Sequence, residues 1–80
     1  MNLTKPEAAL RSLDAALTRS PALRRELMNA TIAEFDRHPR TTHPMFTFHG
    51  VRIRGNLTLF RYRAEVQYGG RWVILCARWH

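Results

Sequence analysis

The period of the apolar pattern in this chain changes once, at His43-Pro44. Upstream, apolar residues recur three and four positions apart; from Met45 onward they alternate. A side-chain repeat near 3.6 specifies a helix and a repeat of two a strand, so helices are expected first and strands after. Helices and strands segregated in this way build an α+β fold, not the alternating units of a parallel sheet. The expected architecture is an N-terminal helical hairpin packed on one face of a three- to four-stranded antiparallel β-sheet, in a single domain spanning residues 1–80.

Local signals place the elements. Thr4 caps a first helix over residues 5–19, with Pro6 tolerated in its first turn and Glu7 returning the capping bond. Ser20-Pro21 ends that helix and starts a second over 21–37, which His38-Pro39 stops. The second helix has two apolar sides, Leu23/Leu27/Ala30 and Met28/Ile32/Phe35, so it should touch both the first helix and the sheet. Residues 38–44 form a loop kept extended by two His-Pro steps, and the sheet occupies 45–79. Within it, His49-Gly50 is a tight turn or a bulge, and Gly55-Asn56 and Gly69-Gly70 read as two-residue hairpin turns. The last strand, Arg71 to Trp79, is nearly all apolar and is expected to be central or covered on both faces.

Two-residue turns would fix the register and divide the side chains between faces. Around Gly69-Gly70, the pairs Val66/Val73, Ala64/Leu75, Tyr62/Ala77 and Phe60/Trp79 fall under the helices, joined by Val51. The opposite set pairs Gln67/Trp72, Glu65/Ile74, Arg63/Cys76 and Arg61/Arg78. The open face would then carry Arg52, Arg54, Arg61, Arg63 and Arg78, with Trp72, Leu57, Leu59 and Ile74 among them and His80 pointing the same way.

Charge distribution gives that face its meaning. The chain holds 13 Lys+Arg and 6 Asp+Glu, a net charge of +7. Residues 1–36 are neutral, with five bases and five acids; residues 37–80 hold eight arginines against Glu65 alone, 8 − 1 = +7. Twelve of the thirteen bases are arginine, which a use for the planar guanidinium or a codon bias would each explain, but codon bias does not explain this clustering. Guanidinium groups bind phosphates and carboxylates in pairs, and an exposed tryptophan offers a stacking surface. The open face is therefore expected to dock onto a polyanion, either nucleic acid or the acidic surface of a protein or nucleoprotein complex. Arg52, Arg54, Arg61, Arg63, Trp72 and Arg78 are the candidate binding residues. The competing explanation is a solvated face whose arginine stems cover apolar sheet surface.

Other functions are harder to build. Eighty residues bury only about 60 % of the unfolded surface, leaving no room for a deep lidded cavity or a dinucleotide fold. The longest apolar run, Trp72 to Ala77, is far shorter than the roughly 20 residues of a membrane helix, and no secretory signal is visible, so a cytoplasmic location is expected. His38 and His43 lack cysteine or acidic neighbours at ligand spacing, and Cys76 has no base partner, so neither a metal, a cofactor nor a nucleophile is expected. The expectation is a non-catalytic binding protein, monomeric or paired through Trp72 or an edge strand.

Two resemblances bear on this expectation. Two helices followed by an antiparallel sheet ending Leu75-Cys76-Ala77-Arg78-Trp79-His80 resemble the ribosome-dependent mRNA-cleaving toxins of the RelE/YoeB type, although the chain lacks that family's opening strand. The resemblance implies a ribonuclease in which Arg61 or Arg63 stabilises transition-state charge and His80 serves as general acid. In size and build the chain also resembles phage- and plasmid-borne inhibitors such as anti-CRISPRs, which implies a regulator or inhibitor that works by occluding a surface.

Overall fold

Ser20 joins two helices by itself. Its backbone N–H donates to the Ala16 carbonyl at 2.9 Å, closing α1 (Lys5–Arg19), while its Oγ accepts from the Leu23 N–H at 3.1 Å, capping α2 (Pro21–Arg37). Arg24 reinforces the joint by donating to the carbonyls of Leu17 and Thr18 at the end of α1. The computed structural model describes residues 4–79, and the two helices lie on one face of a four-stranded antiparallel sheet. The strands are β1 (Met45–Phe48), β2 (Val51–Leu57), β3 (Arg61–Tyr68) and β4 (Arg71–Trp79), in the order β1-β2-β3-β4. Among the described residues no helix is long and apolar enough to cross a membrane.

The core lies between helices and sheet: Leu13 and Leu17 from α1, Leu27 and Met28 from α2, and Val51, Ile53, Ala64, Val66 and Cys76 from the strands. Full burial of a side chain such as Leu27 or Ile53 contributes about 1.5–3 kcal/mol. Thr31 is equally buried, and its hydroxyl donates to the Leu27 carbonyl at 2.8 Å, so no polar group is stranded there.

Two tight turns follow the sequence. His49-Gly50 and Gly69-Gly70 each place both residues at positive φ, 50° and 76°, then 58° and 77°, the backbone that matches the twist of a hairpin. Gly55-Asn56 does not form the expected turn. Both residues lie inside β2, and the chain reverses at Leu59-Phe60 instead, where the Thr58 N–H donates to the Arg61 carbonyl at 2.9 Å and the Thr58 Oγ1 accepts from the Arg61 N–H at 3.1 Å. Gly55 serves packing: a Cβ there would sit 2.8 Å from Phe35 Cε2 and 3.1 Å from Pro44 Cγ. Phe60, expected in the core opposite Trp79, is at the exposed turn tip beside Leu59. Leu57, expected on the open face, shares the helix-side alternation of Val51 and Ile53.

The other correction is a β-bulge. Glu65 pairs with Ile74 but Ala64 pairs with Cys76, leaving Leu75 as an extra residue in β4. Beyond it β4 exchanges faces. Cys76 and Arg78 turn toward the helices, whereas Ala77 and Trp79 join the open face opposite Arg63 and Arg61. The expected pairs Ala64/Leu75, Tyr62/Ala77, Phe60/Trp79, Arg63/Cys76 and Arg61/Arg78 are thereby replaced. Nor is β4 central or doubly covered: it is an edge strand, with Val73 and Ile74 38 % and 42 % exposed.

Candidate nucleic-acid interface

The open face is built mainly by β2 and β3. Alternation in β2 puts Arg52, Arg54 and Asn56 on it, and alternation in β3 adds Arg61, Arg63, Glu65 and Gln67. From β4 come Trp72 and Ile74 before the bulge, then Ala77 and Trp79 after it. Four of the five arginines read from the sequence therefore share this face with Trp72. Arg78 does not: its guanidinium reaches the helices, where Nη1 donates to Asn29 Oδ1 at 2.8 Å and Nη2 to the Arg25 carbonyl at 3.5 Å. His80 lies outside the described residues.

The register keeps the arginines off one another. Arg52 faces Thr47, Arg54 faces Glu65, Arg63 lies between Asn56 and Ala77, and Arg61 faces Trp79. Direct opposition of like charges across strands would cost a few tenths to about 1 kcal/mol per pair, and none occurs here. Glu65 supplies the only acid of the face among the described residues and is 4 % exposed. Its Oε1 accepts from Arg54 Nε and Nη2 at 3.0 and 2.8 Å, and its Oε2 accepts from Asn56 Nδ2 at 3.1 Å. Four arginines against one neutralised carboxylate leave the face at 4 − 1 = +3.

Each tryptophan carries an arginine. The Arg54 guanidinium carbon is 4.1 Å from the Trp72 ring centroid, and that of Arg61 is 5.6 Å from Trp79. Trp79, at 73 % exposure, leaves most of its ring to solvent. Sequence reasoning assigned it to the core; only the bulge brings it here. Arg63 Nε is buried and has no hydrogen-bond partner among the described residues.

The face is not flat. β2 and β3 pair only from Arg54/Glu65 to Leu57/Tyr62, so Val51–Ile53 of β2 separate from the end of β3, Val66–Tyr68. A cleft of about 350 Å³ opens there between the strands, with Met45, Arg52, Gln67 and Trp72 among its walls together with Pro6 and Leu10 of α1. Its size is at the lower end of small-ligand pockets, about 300–1,000 Å³.

The other candidate groups stand apart from this face. Cys76 faces the helices, so its charged neighbours are Arg24 and Arg78 and not Arg63. Burial pushes its thiol up from the ordinary value, outweighing a backbone hydrogen bond from Ala77 and the two guanidinium groups. His38 does have an acidic neighbour, contrary to the sequence-based expectation: Glu34 Oε2, one helical turn back, lies 3.6 Å from it; the His49 ring sits tilted against Phe48 in the first hairpin. No known protein family, curated protein or solved structure matches this chain.

Proposed function

We propose that the open face of the sheet binds single-stranded nucleic acid, with Arg52, Arg54, Arg61 and Arg63 on phosphates and Trp72 and Trp79 as stacking platforms for bases. The observation that carries this reading is the pairing of two arginines with two tryptophans on one face of net charge +3. Arginine beside an exposed aromatic ring suits a polymer that alternates anionic groups with π-faces, and base stacking contributes about 1–3 kcal/mol per base. The cleft beside Trp72 and Arg52 suits one inserted base. Binding is then the whole activity: the protein acts by covering a strand and excluding other proteins from it.

A salt titration of binding to labelled single-stranded RNA, single-stranded DNA and duplex DNA tests the reading. Four phosphate contacts should give a slope of log K against log salt of about −2.8, at roughly −0.7 each. Trp79→Ala should weaken single-strand binding about tenfold or more, and Arg61→Glu/Arg63→Glu should abolish it. Equal affinity for duplex and single strand, or a tryptophan variant with no effect, would rule out stacking. Absence of nucleic-acid binding at physiological salt would reassign the face to an acidic protein surface.

A ribonuclease reading draws on one pairing, that of Arg61 with Trp79, the chain neighbour of His80. It requires that bound RNA be cut and that His80→Ala stop the cutting without weakening binding.

A further inference from the structure

We infer that the open face takes one nucleic-acid strand lengthwise, with its bases over β4 and its sugar–phosphate backbone over β2 and β3, and that about four to six unpaired nucleotides fill the site. The inference rests on the reading of this face as a single-strand platform; it adds the direction of the strand and the length that is bound.

The direction follows from how the face is divided. Its four arginines, Arg52, Arg54, Arg61 and Arg63, all stand on β2 and β3, and both tryptophans stand on β4. The charged residues of β4 are kept off this side: alternation turns Arg71 away, and Arg78 is bonded to Asn29 on α2. A nucleotide is divided in the same way, into an anionic phosphate and a base with an apolar π-face. Phosphates therefore sort to the β2–β3 half and bases to the β4 half. Only a strand running along β4 meets both tryptophans; one laid across the sheet meets one of them.

The length follows from the register. Trp72 pairs with Gln67 and Trp79 with Arg61, six residues apart along β3. At strand rise that is about 20 Å. A stacked single strand advances about 3.4 Å per phosphate, so roughly six nucleotides reach from one platform to the other, and fewer when the backbone is drawn out. A dinucleotide reaches one platform only. Between the platforms β4 presents Ile74 and Ala77, which raise no wall of charge, opposite Glu65 and Arg63. Glu65 repels little there, because Arg54 and Asn56 hold both of its oxygens. Each end has its own arginine beside the ring, Arg54 at Trp72 and Arg61 at Trp79, to hold the phosphate next to the stacked base.

Titration with unlabelled oligothymidylates of two to twelve nucleotides, followed by quenching of tryptophan fluorescence at fixed salt, tests the inference. Affinity should climb about tenfold or more between the trimer and the hexamer, as the second platform is engaged, and then level off. Trp72→Ala and Trp79→Ala should each cost about tenfold with the hexamer but little with the trimer, which shifts to the remaining platform. A hexamer lacking its two central bases should bind nearly as well as the intact one, whereas loss of both terminal bases should cost as much as loss of the tryptophans. Binding that strengthens evenly with every added phosphate, or a step that survives in both tryptophan variants, overturns this inference and leaves the face a binder of single strands without a fixed path. Absence of binding at every length overturns the underlying reading and this inference with it.

Discussion

Arg54 donates two hydrogen bonds to one carboxylate oxygen of Glu65, directly across the β2–β3 ladder, while its guanidinium rests 4.1 Å from the Trp72 ring centroid. The pair occupies the last rung before β2 and β3 separate. Glu65 thus holds the ladder closed at the point where the cleft begins, and fixes one arginine against one tryptophan.

Glu65→Gln should separate stability from binding. The neutral amide keeps the shape but loses charge-assisted bonds to Arg54, so unfolding free energy should fall by about 1–2 kcal/mol in urea denaturation. The same change raises the charge of the face by one and releases Arg54. Nucleic-acid affinity should therefore rise, with a steeper dependence on salt.

Arg78 and Arg61 should behave in opposite ways. Arg78→Ala removes bonds to Asn29 and the Arg25 carbonyl on the helix side, costing about 0.5–1.5 kcal/mol of stability with binding unchanged. Arg61→Ala should leave stability within about 0.5 kcal/mol and reduce the salt slope by about 0.7. Thermal denaturation and fluorescence titration on the same two variants check both halves.

Gly55→Ala should destabilise the fold by about 1–3 kcal/mol, because the new methyl overlaps Phe35 and Pro44. The cause is steric, so the cost should shrink when Phe35→Leu is present. A double-mutant cycle without such coupling would argue against the packing role of this glycine.

Cys76 should resist alkylation at pH 8 in the folded protein and react once it is unfolded. Burial raises its folded pKa above the unfolded value of about 8.5. The folded state therefore holds the thiol proton to higher pH than the unfolded state does. The associated stability is complete below the unfolded pKa and is lost as pH rises toward the folded one. Between pH 8 and 10, wild type should lose more stability than Cys76→Ala, as measured by denaturant titration.

The helices and the division of the sheet into two faces were legible because both rest on short-range rules. Ser20-Pro21 caps and starts a helix through its own atoms, and the alternation of Arg52, Ile53 and Arg54 needs no partner strand to be read. The misplaced turn still left the arginines of β2 and β3 on the correct face. Moving the reversal from Gly55-Asn56 to Leu59-Phe60 changes the partner of Arg54 from Leu57 to Glu65, eight residues on; an even shift preserves the side of Arg52, Arg54, Arg61 and Arg63, whereas Leu57, now the end of β2, moves to the helix side.

What tertiary structure alone decided are the places where a residue answers to a distant neighbour. Gly55 looked like a turn because glycine beside asparagine serves turns well; here it clears space for Phe35 and Pro44, from 20 and 11 residues away in sequence. The bulge at Leu75 inserts one residue, an odd shift, and so exchanges Arg78 for Trp79 on the open face. No local pattern marks it, since Leu75, Cys76 and Ala77 are all apolar and suit either side. The alternation in the sequence determined which residues of β2 and β3 share a face. The end of β4 has no such alternation, so its packing against α2 set which side Arg78 and Trp79 take.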